Sequence, residues 1–235
     1  MDLVESDSWP PIEGSNIVRK AHILEPLRPF TGEARGLKLP SGSLCASSLG
    51  ISLFTLQSST GKKINFQGDM AALATAEVCD SNAPLLLNGD LRALQPIFQI
   101  YGQSRAFFGP IVTLKVFEDN VLVREFLETR GEGRVLVIDG GGSMRSAVLG
   151  GNLVQLAQTM GWAGIVVNGC IRDVDEINAC DIGVRALASH PLKPGKKRTG
   201  EVHGIIHIGG AMIRDGEWLY ADSDGILVSK SELSV

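Results

Sequence analysis

Arg172 and Asp173 stand side by side in the sequence, and Glu176 follows three residues later. A fixed cation beside a fixed carboxylate can hold an anionic substrate and a divalent metal ion together. The guanidinium grips a carboxylate in a planar fork, which a lysine cannot imitate. A hard ion such as Mg2+ or Mn2+ takes oxygen ligands and keeps several waters, so a single carboxylate is enough protein to hold it. Upstream, Gly150-Gly151-Asn152-Leu153 opens a helical pattern, and the free N–H groups of a helix start bind anions. The acidic residues have a second reading. Asp-x-x-Glu before the apolar Ile177 is also a capping box, with Asp173 capping a helix and Glu176 at its third position. The two readings are compatible for Glu176 and compete for the carboxylate of Asp173.

The elements that position these residues follow from periodicity. Leu153, Leu156, Ala157 and Met160 share one helical face, and Gly161 ends that helix. Residues 164–168 (GIVVN) form a short β-branched run of the buried-strand kind, and the chain is expected to turn at Gly169. Arg172 and Asp173 then lie just past the strand's carboxyl end, where open α/β sheets bind ligands.

Strands are also predicted over 106–117, 134–139, 183–188, 202–213, 218–221 and 226–229, and helices over 71–79, with Asp69 as N-cap, and 121–128. Asp215-Gly216 and Asp224-Gly225 are turn signals. Strands outnumber helices and run antiparallel towards the C-terminus. The pattern is α/β, a layered β/β/α domain with a mixed sheet. Gly140-Gly141-Gly142 after the 134–139 strand reads as a tight turn or an anion loop. Residues 191–200 (PLKPGKKRTG) read as an exposed basic loop.

Residues 1–69 differ. They hold five of the ten prolines, balance seven acidic against seven basic residues, and show no long period. A mostly disordered extension is expected there, with the domain over 70–235. Residues 34–67 are Ser/Thr-rich and free of acids, as in transit peptides, whereas Asp2, Glu5, Asp7 and Glu13 run against that.

Net charge is −4 and pI near 5.6, so neither a nucleic-acid nor a membrane partner is expected. The four cysteines form no CxxC pair, which argues against structural zinc and fits a reducing compartment. His203 and His207 resemble a metal pair. On a continuous strand, however, they would lie roughly 13 Å apart, too far to share an ion.

Gly151, twenty intervening residues, Arg172-Asp173, two more and Glu176 reproduce the signature G-x20-R-D-x2-E/D. With FEDN at 117–120, GRVLVIDGGGS at 133–143, DIG at 181–183 and LYADSDGI at 219–226, the chain from about residue 74 to 233 resembles the RraA-like family. In that family (regulator of ribonuclease activity A) the closest pattern is that of class II 4-hydroxy-4-methyl-2-oxoglutarate aldolases. The resemblance implies a β/β/α homotrimer with sites near subunit interfaces. It implies cleavage of that small 2-oxo acid to two pyruvates, with oxaloacetate decarboxylation as a second activity. A cytoplasmic location is expected, with organellar import as the alternative. Carried over by motif, Gly150, Gly151, Asn152 and Leu153 line the substrate and Arg172 binds it. Asp173 binds Mg2+ or Mn2+, and Arg172, Asp173 and Glu176 are the catalytic candidates. The family also contains non-catalytic inhibitors of a ribonuclease. The resemblance implies that these lack the acid after the arginine, which this chain keeps.

Overall fold

The computed structural model describes residues 74–234. The expected extension over 1–69, its boundary at Met70, the cap at Asp69 and the first turn of the 71–79 helix lie outside the described residues.

The described chain begins with two short helices, α1 (Thr75–Ser81) and α2 (Ala83–Asn88), and two short strands, β1 (Leu91–Ala93) and β2 (Gln99–Tyr101). Then come β3 (Phe107–Val116), α3 (Val121–Leu127), β4 (Val135–Asp139), β5 (Ala147–Leu149), α4 (Gly151–Thr159), β6 (Gly164–Ile171), α5 (Val174–Asn178) and β7 (Gly183–Ser189). The C-terminal part adds β8 (Gly200–Val202), β9 (Ile206–Ile208), β10 (Ala211–Ile213), β11 (Trp218–Ala221) and β12 (Ile226–Ser229).

Side-chain alternation builds the layers. On β4, Leu136 and Ile138 face one way, packing with Leu122, Leu127, Leu153 and Ala157 of the helices. Val135 and Val137 face the other way, onto Ile206, Ile208, Ile213, Leu219 and Val228 of the C-terminal strands. β6 alternates likewise, with Ile165 and Val167 towards the helices and Val166 towards the strands. The result is the expected β/β/α stack. The main sheet runs β1-β12-β11-β3-β4-β6-β7-β2, with β3, β4, β6 and β7 parallel and β2, β11, β12 and β1 antiparallel to their neighbours.

Two expectations are corrected. The 202–213 run is not one strand. His203 adopts φ +57° and ends β8, and Gly209-Gly210, at φ +53° and +76°, turn the β9–β10 hairpin. A side chain is disfavoured at such φ, so the glycines decide the break. His203 donates to or accepts from Asp215 (Nδ1–Oδ2 3.0 Å), while His207 is exposed on β9. Nor does the chain turn at Gly169. β6 continues to Ile171, because its last residues are paired on both edges, by β5 and by β7.

Asp222 clasps the start of the described chain. Its carboxylate accepts Thr75 N–H and Oγ1–H, both at 2.7 Å, and the N–H groups of Asp224 and Gly225. Burial alone would raise its pKa, but these hydrogen bonds outweigh burial and hold the carboxyl below its ordinary value. A depressed carboxylate contributes stability that is present above the unfolded pKa of about 3.9 and is lost as pH falls through the folded value. Asp222→Ala is therefore expected to cost about 1–3 kcal/mol in urea melts at pH 7. The gap to wild type should narrow as the pH is taken below about 4.

Candidate functional site

Three parallel strands end together. Ile171 of β6 pairs with Leu149 of β5 on one edge and with Ser189 of β7 on the other. The closing bonds of these two pairs reach the residues that follow. Arg172 N–H donates to the Leu149 carbonyl (2.9 Å), and His190 N–H donates to the Ile171 carbonyl (2.8 Å). Gly150, Arg172 and His190 thus emerge side by side. β5 resumes the line of β4 along β6 after the 140–146 excursion, and that is what brings Gly150 beside Arg172.

Asp173 sits at the N-cap position of α5 in the left-handed conformation (φ +61°, ψ +49°), which Asp and Asn tolerate better than other side chains. Its side chain makes no capping hydrogen bond. Instead both oxygens lie 3.1 Å from Arg172 Nε, and Oδ1 lies 3.0 Å from a terminal guanidinium nitrogen. In the described chain this carboxylate pairs with Arg172 and does not cap α5. The two side chains remain 26% and 29% exposed, so a ligand can reach them.

The glycines explain the spacing of the signature. A Cβ on Gly150 would stand 2.9 Å from Asp173 Oδ2 and 3.2 Å from Arg172 Cγ. A Cβ on Gly151 would stand 2.6 Å from Glu176 Cβ and would run into its carboxylate. The start of α4 and the start of α5 thus interlock, with bare backbone against the side chains of Arg172, Asp173 and Glu176. Leu153 is 4% exposed, its side chain in the core, and its N–H donates to the Gly150 carbonyl (2.9 Å). Gly151 and Asn152 N–H are the first-turn donors left without a backbone partner among the described residues. Gly151→Ala is expected to cost about 1–3 kcal/mol by overpacking, whereas Asn152→Ala next door stays within about 0.5 kcal/mol. Urea melts of the two variants check this.

The other candidates resolve differently. The glycine run after β4 spends its N–H groups internally. Gly140 and Gly142 donate to the Asn168 carbonyl and Gly141 to Asp139 Oδ1, so it is a tight turn rather than an anion loop. The basic loop 191–200 is exposed, and Asp119, itself buried, accepts the N–H groups of Lys197 and Arg198. At the same sheet end Glu118 accepts from Ser143 Oγ (2.6 Å) and Arg145 Nε (2.7 Å), which hold its carboxyl below the ordinary range. His190, which follows the paired end of β7 beside β6, is a residue the sequence pattern did not single out. Its signal is its place just past the end of a predicted strand.

No group of three or more His, Cys, Asp or Glu converges as a metal cage among the described residues. A zinc-type site built wholly of protein ligands does not fit. One half-open carboxylate with bare backbone beside it does fit a hard ion that keeps waters and takes substrate oxygens. Two surface hollows lie away from this pair, one around Phe117 and Glu201 and one around Arg92 and Arg214. The Arg172–Asp173 pair is partly exposed at the rim where the strands end.

The family model RraA-like, described as Aldolase/RraA, matches residues 75–228. The chain belongs to the RraA-like family. Among RraA-like relatives, "Putative 4-hydroxy-4-methyl-2-oxoglutarate aldolase 3" of Arabidopsis thaliana is 76% identical over 166 residues, 71% of this chain and 100% of that protein. A Cupriavidus necator protein, "Putative 4-hydroxy-4-methyl-2-oxoglutarate aldolase", is 55% identical over 159 residues, 68% of this chain and 96% of that protein. Among solved structures, the RNA-processing inhibitor RraA from Thermus is 42% identical with a TM-score of 0.64, covering 69% of this chain and 95% of that one. A Geobacillus kaustophilus protein titled S-adenosylmethionine:2-dimethylmenaquinone methyltransferase is 45% identical with a TM-score of 0.65, covering 68% and 97%. The RraA-like fold therefore accompanies proteins named for several different activities, and the site has to decide among them.

Proposed function

We propose that the chain is a divalent-metal-dependent class II aldolase that cleaves 4-hydroxy-4-methyl-2-oxoglutarate to two pyruvates and also decarboxylates oxaloacetate. The observation that carries this reading is the paired Arg172 and Asp173, reachable by a ligand at the carboxyl end of β6 and interlocked with Gly150 and Gly151. The names of the relatives at 76% and 55% identity agree with it.

Both reactions leave a pyruvate enolate, and the developing oxyanion dominates the barrier. Asp173 would hold a Mg2+ or Mn2+ ion, which supplies Lewis-acid stabilisation of several kcal/mol when bound. The chain's own groups do the rest. Arg172 turns its fork from Asp173 to a substrate carboxylate, with which it makes shorter, charge-assisted hydrogen bonds. Gly151 and Asn152 N–H, at the positive end of α4, donate to anionic oxygen. Glu176 lies against Gly151, at the edge of the site, as the second carboxylate in reach of α4. Between residues 150 and 176 Arg172 is the only basic side chain, so no lysine there can form a Schiff base.

The partly exposed rim suits a site completed by a neighbouring subunit, and a homotrimer is part of the proposal. Exposed Phe117, Met144 and Leu192 supply apolar surface for such contact. No helix among the described residues is long and apolar enough to cross a membrane. A cytoplasmic location is part of the proposal.

The test is pyruvate release from 4-hydroxy-4-methyl-2-oxoglutarate and from oxaloacetate, before and after EDTA and after Mg2+ is restored. Release that EDTA stops and Mg2+ restores is expected; release unaffected by EDTA contradicts the metal. A second reading, a non-catalytic inhibitor of a ribonuclease, is favoured by the 42% identity to the Thermus inhibitor. It predicts no turnover on either acid.

A further inference from the structure

We infer that His190 is a substrate-binding residue of this site, the neutral donor for the substrate's second carboxylate, and that it sets a preference for dicarboxylic over monocarboxylic 2-oxo acids. The inference rests on the aldolase reading above. Its basis is the register of the strand ends. The hydrogen bond from His190 N–H to the Ile171 carbonyl closes the last pair, Ile171–Ser189, as Arg172 N–H to the Leu149 carbonyl closes Leu149–Ile171, so Gly150, Arg172 and His190 are the next residues as the three strands leave the sheet. Neighbouring strands in a sheet are about 4.8 Å apart, and residues in register project to the same face. His190 is half-buried, and the hydrogen bond its ring makes to Leu192 lies at the exposed surface.

The ring's hydrogen bonding fixes what it can offer. Nδ1 accepts the Leu192 N–H at 3.2 Å, so the neutral imidazole carries its proton on Nε2. Nε2–H has no protein acceptor among the described residues. Nε2–H is thus the ring's available donor, which suits it to an anionic oxygen.

Charge explains why a neutral donor belongs there. A dianionic substrate together with Asp173 balances a divalent ion together with Arg172. Arg172 has one fork, already shared with Asp173 in the free chain. A second carboxylate therefore needs a donor that adds no charge. 4-Hydroxy-4-methyl-2-oxoglutarate has that second carboxylate on C4, the carbon that becomes the new ketone. In the cleavage the C4 hydroxyl loses its proton and the C3–C4 bond breaks. The electron pair stays on C3 as a pyruvate enolate, which is then protonated, and the C4 fragment leaves as the second pyruvate. His190 would hold that fragment by its carboxylate throughout, so its contribution is to binding in ground state and transition state alike.

The experiment compares two substrates that differ in that group, 4-hydroxy-4-methyl-2-oxoglutarate and 4-hydroxy-2-oxopentanoate, with Mg2+, on wild type, His190→Ala and His190→Gln. Melting temperatures are measured on the same preparations. A lost hydrogen bond to a charged group should raise KM for the dicarboxylate about tenfold or more in the Ala variant, with kcat within about twofold. The monocarboxylate should show no change. Gln keeps an N–H donor at similar reach and should recover most of the loss. Equal effects on both substrates, no effect on either, or a loss that Gln does not recover would overturn the role of His190 while leaving the aldolase reading intact. A wild type inactive on both acids overturns the aldolase reading itself and this inference with it.

Discussion

Asp173→Asn is expected to lower metal-dependent turnover by about 100-fold or more while the melting temperature moves by no more than about 4 °C. The geometry separates the two readouts. Asp173 stands at φ +61° with no capping hydrogen bond from its side chain, so the fold needs from it only tolerance of the left-handed conformation. Asn provides that tolerance as well as Asp does. What the substitution removes is an ion pair with Arg172 on a partly exposed surface, worth about 1 kcal/mol or less. The negative charge that would hold the cation goes with it, and charge stabilisation by the ion is several kcal/mol. Asp173→Ala is the informative companion, because it combines the same loss of charge with a backbone penalty of about 1–2 kcal/mol. Activity and stability should fall together in Ala and separately in Asn. An Asn variant that unfolds easily yet keeps its activity per folded molecule would return Asp173 to a purely structural role.

Arg172→Lys should lower kcat/KM by roughly 10- to 100-fold, and Arg172→Ala by more. Hydrogen bonds to a charged partner contribute about 1.5–3 kcal/mol, and about 1.36 kcal/mol is tenfold in rate. Lysine keeps the charge without the fork, so the gap between the two variants measures bidentate grip against simple attraction. The guanidinium has one carboxylate partner among the described residues, its neighbour Asp173. Both variants should therefore melt near wild type. Unchanged kinetics accompanied by a lower melting temperature would remove Arg172 from the active site.

How much of this was legible in the sequence depended on element length. β3, β4, α3 and α4 carry enough residues for a period to show, and they stand within a residue or two of where the pattern put them. β1, β2 and β5 are three residues each, too short for any period, and pairing with a neighbouring strand is what defines them. That is why β6 was expected to stop early. Gly169 looks like a turn until β5 and β7 are known to bind both edges beyond it. The 202–213 run was misread for the opposite reason. Its apolar residues share a core, yet His203 and the Gly209-Gly210 turn divide it into separate strands.

The site was legible as a set of residues and not as an arrangement. Arg172, Asp173 and Glu176 follow from the signature, but whether Asp173 capped a helix or faced a cation could not be read from Asp-x-x-Glu. The adjacent Arg172, which decides it, serves both readings. The interlock of Gly151 with Glu176 and the position of His190 beside Arg172 are properties of strand register, which no local sequence window contains.

The central claim is that this rim cleaves a carbon–carbon bond in a 2-oxo acid. The most direct measurement is the stoichiometry of pyruvate formed from 4-hydroxy-4-methyl-2-oxoglutarate by the metal-loaded wild type, with Asp173→Asn alongside. Two pyruvates per molecule of substrate consumed by the wild type, and essentially none formed by the variant, is the predicted result. A folded wild type that forms no pyruvate with Mg2+ or Mn2+ would contradict the account.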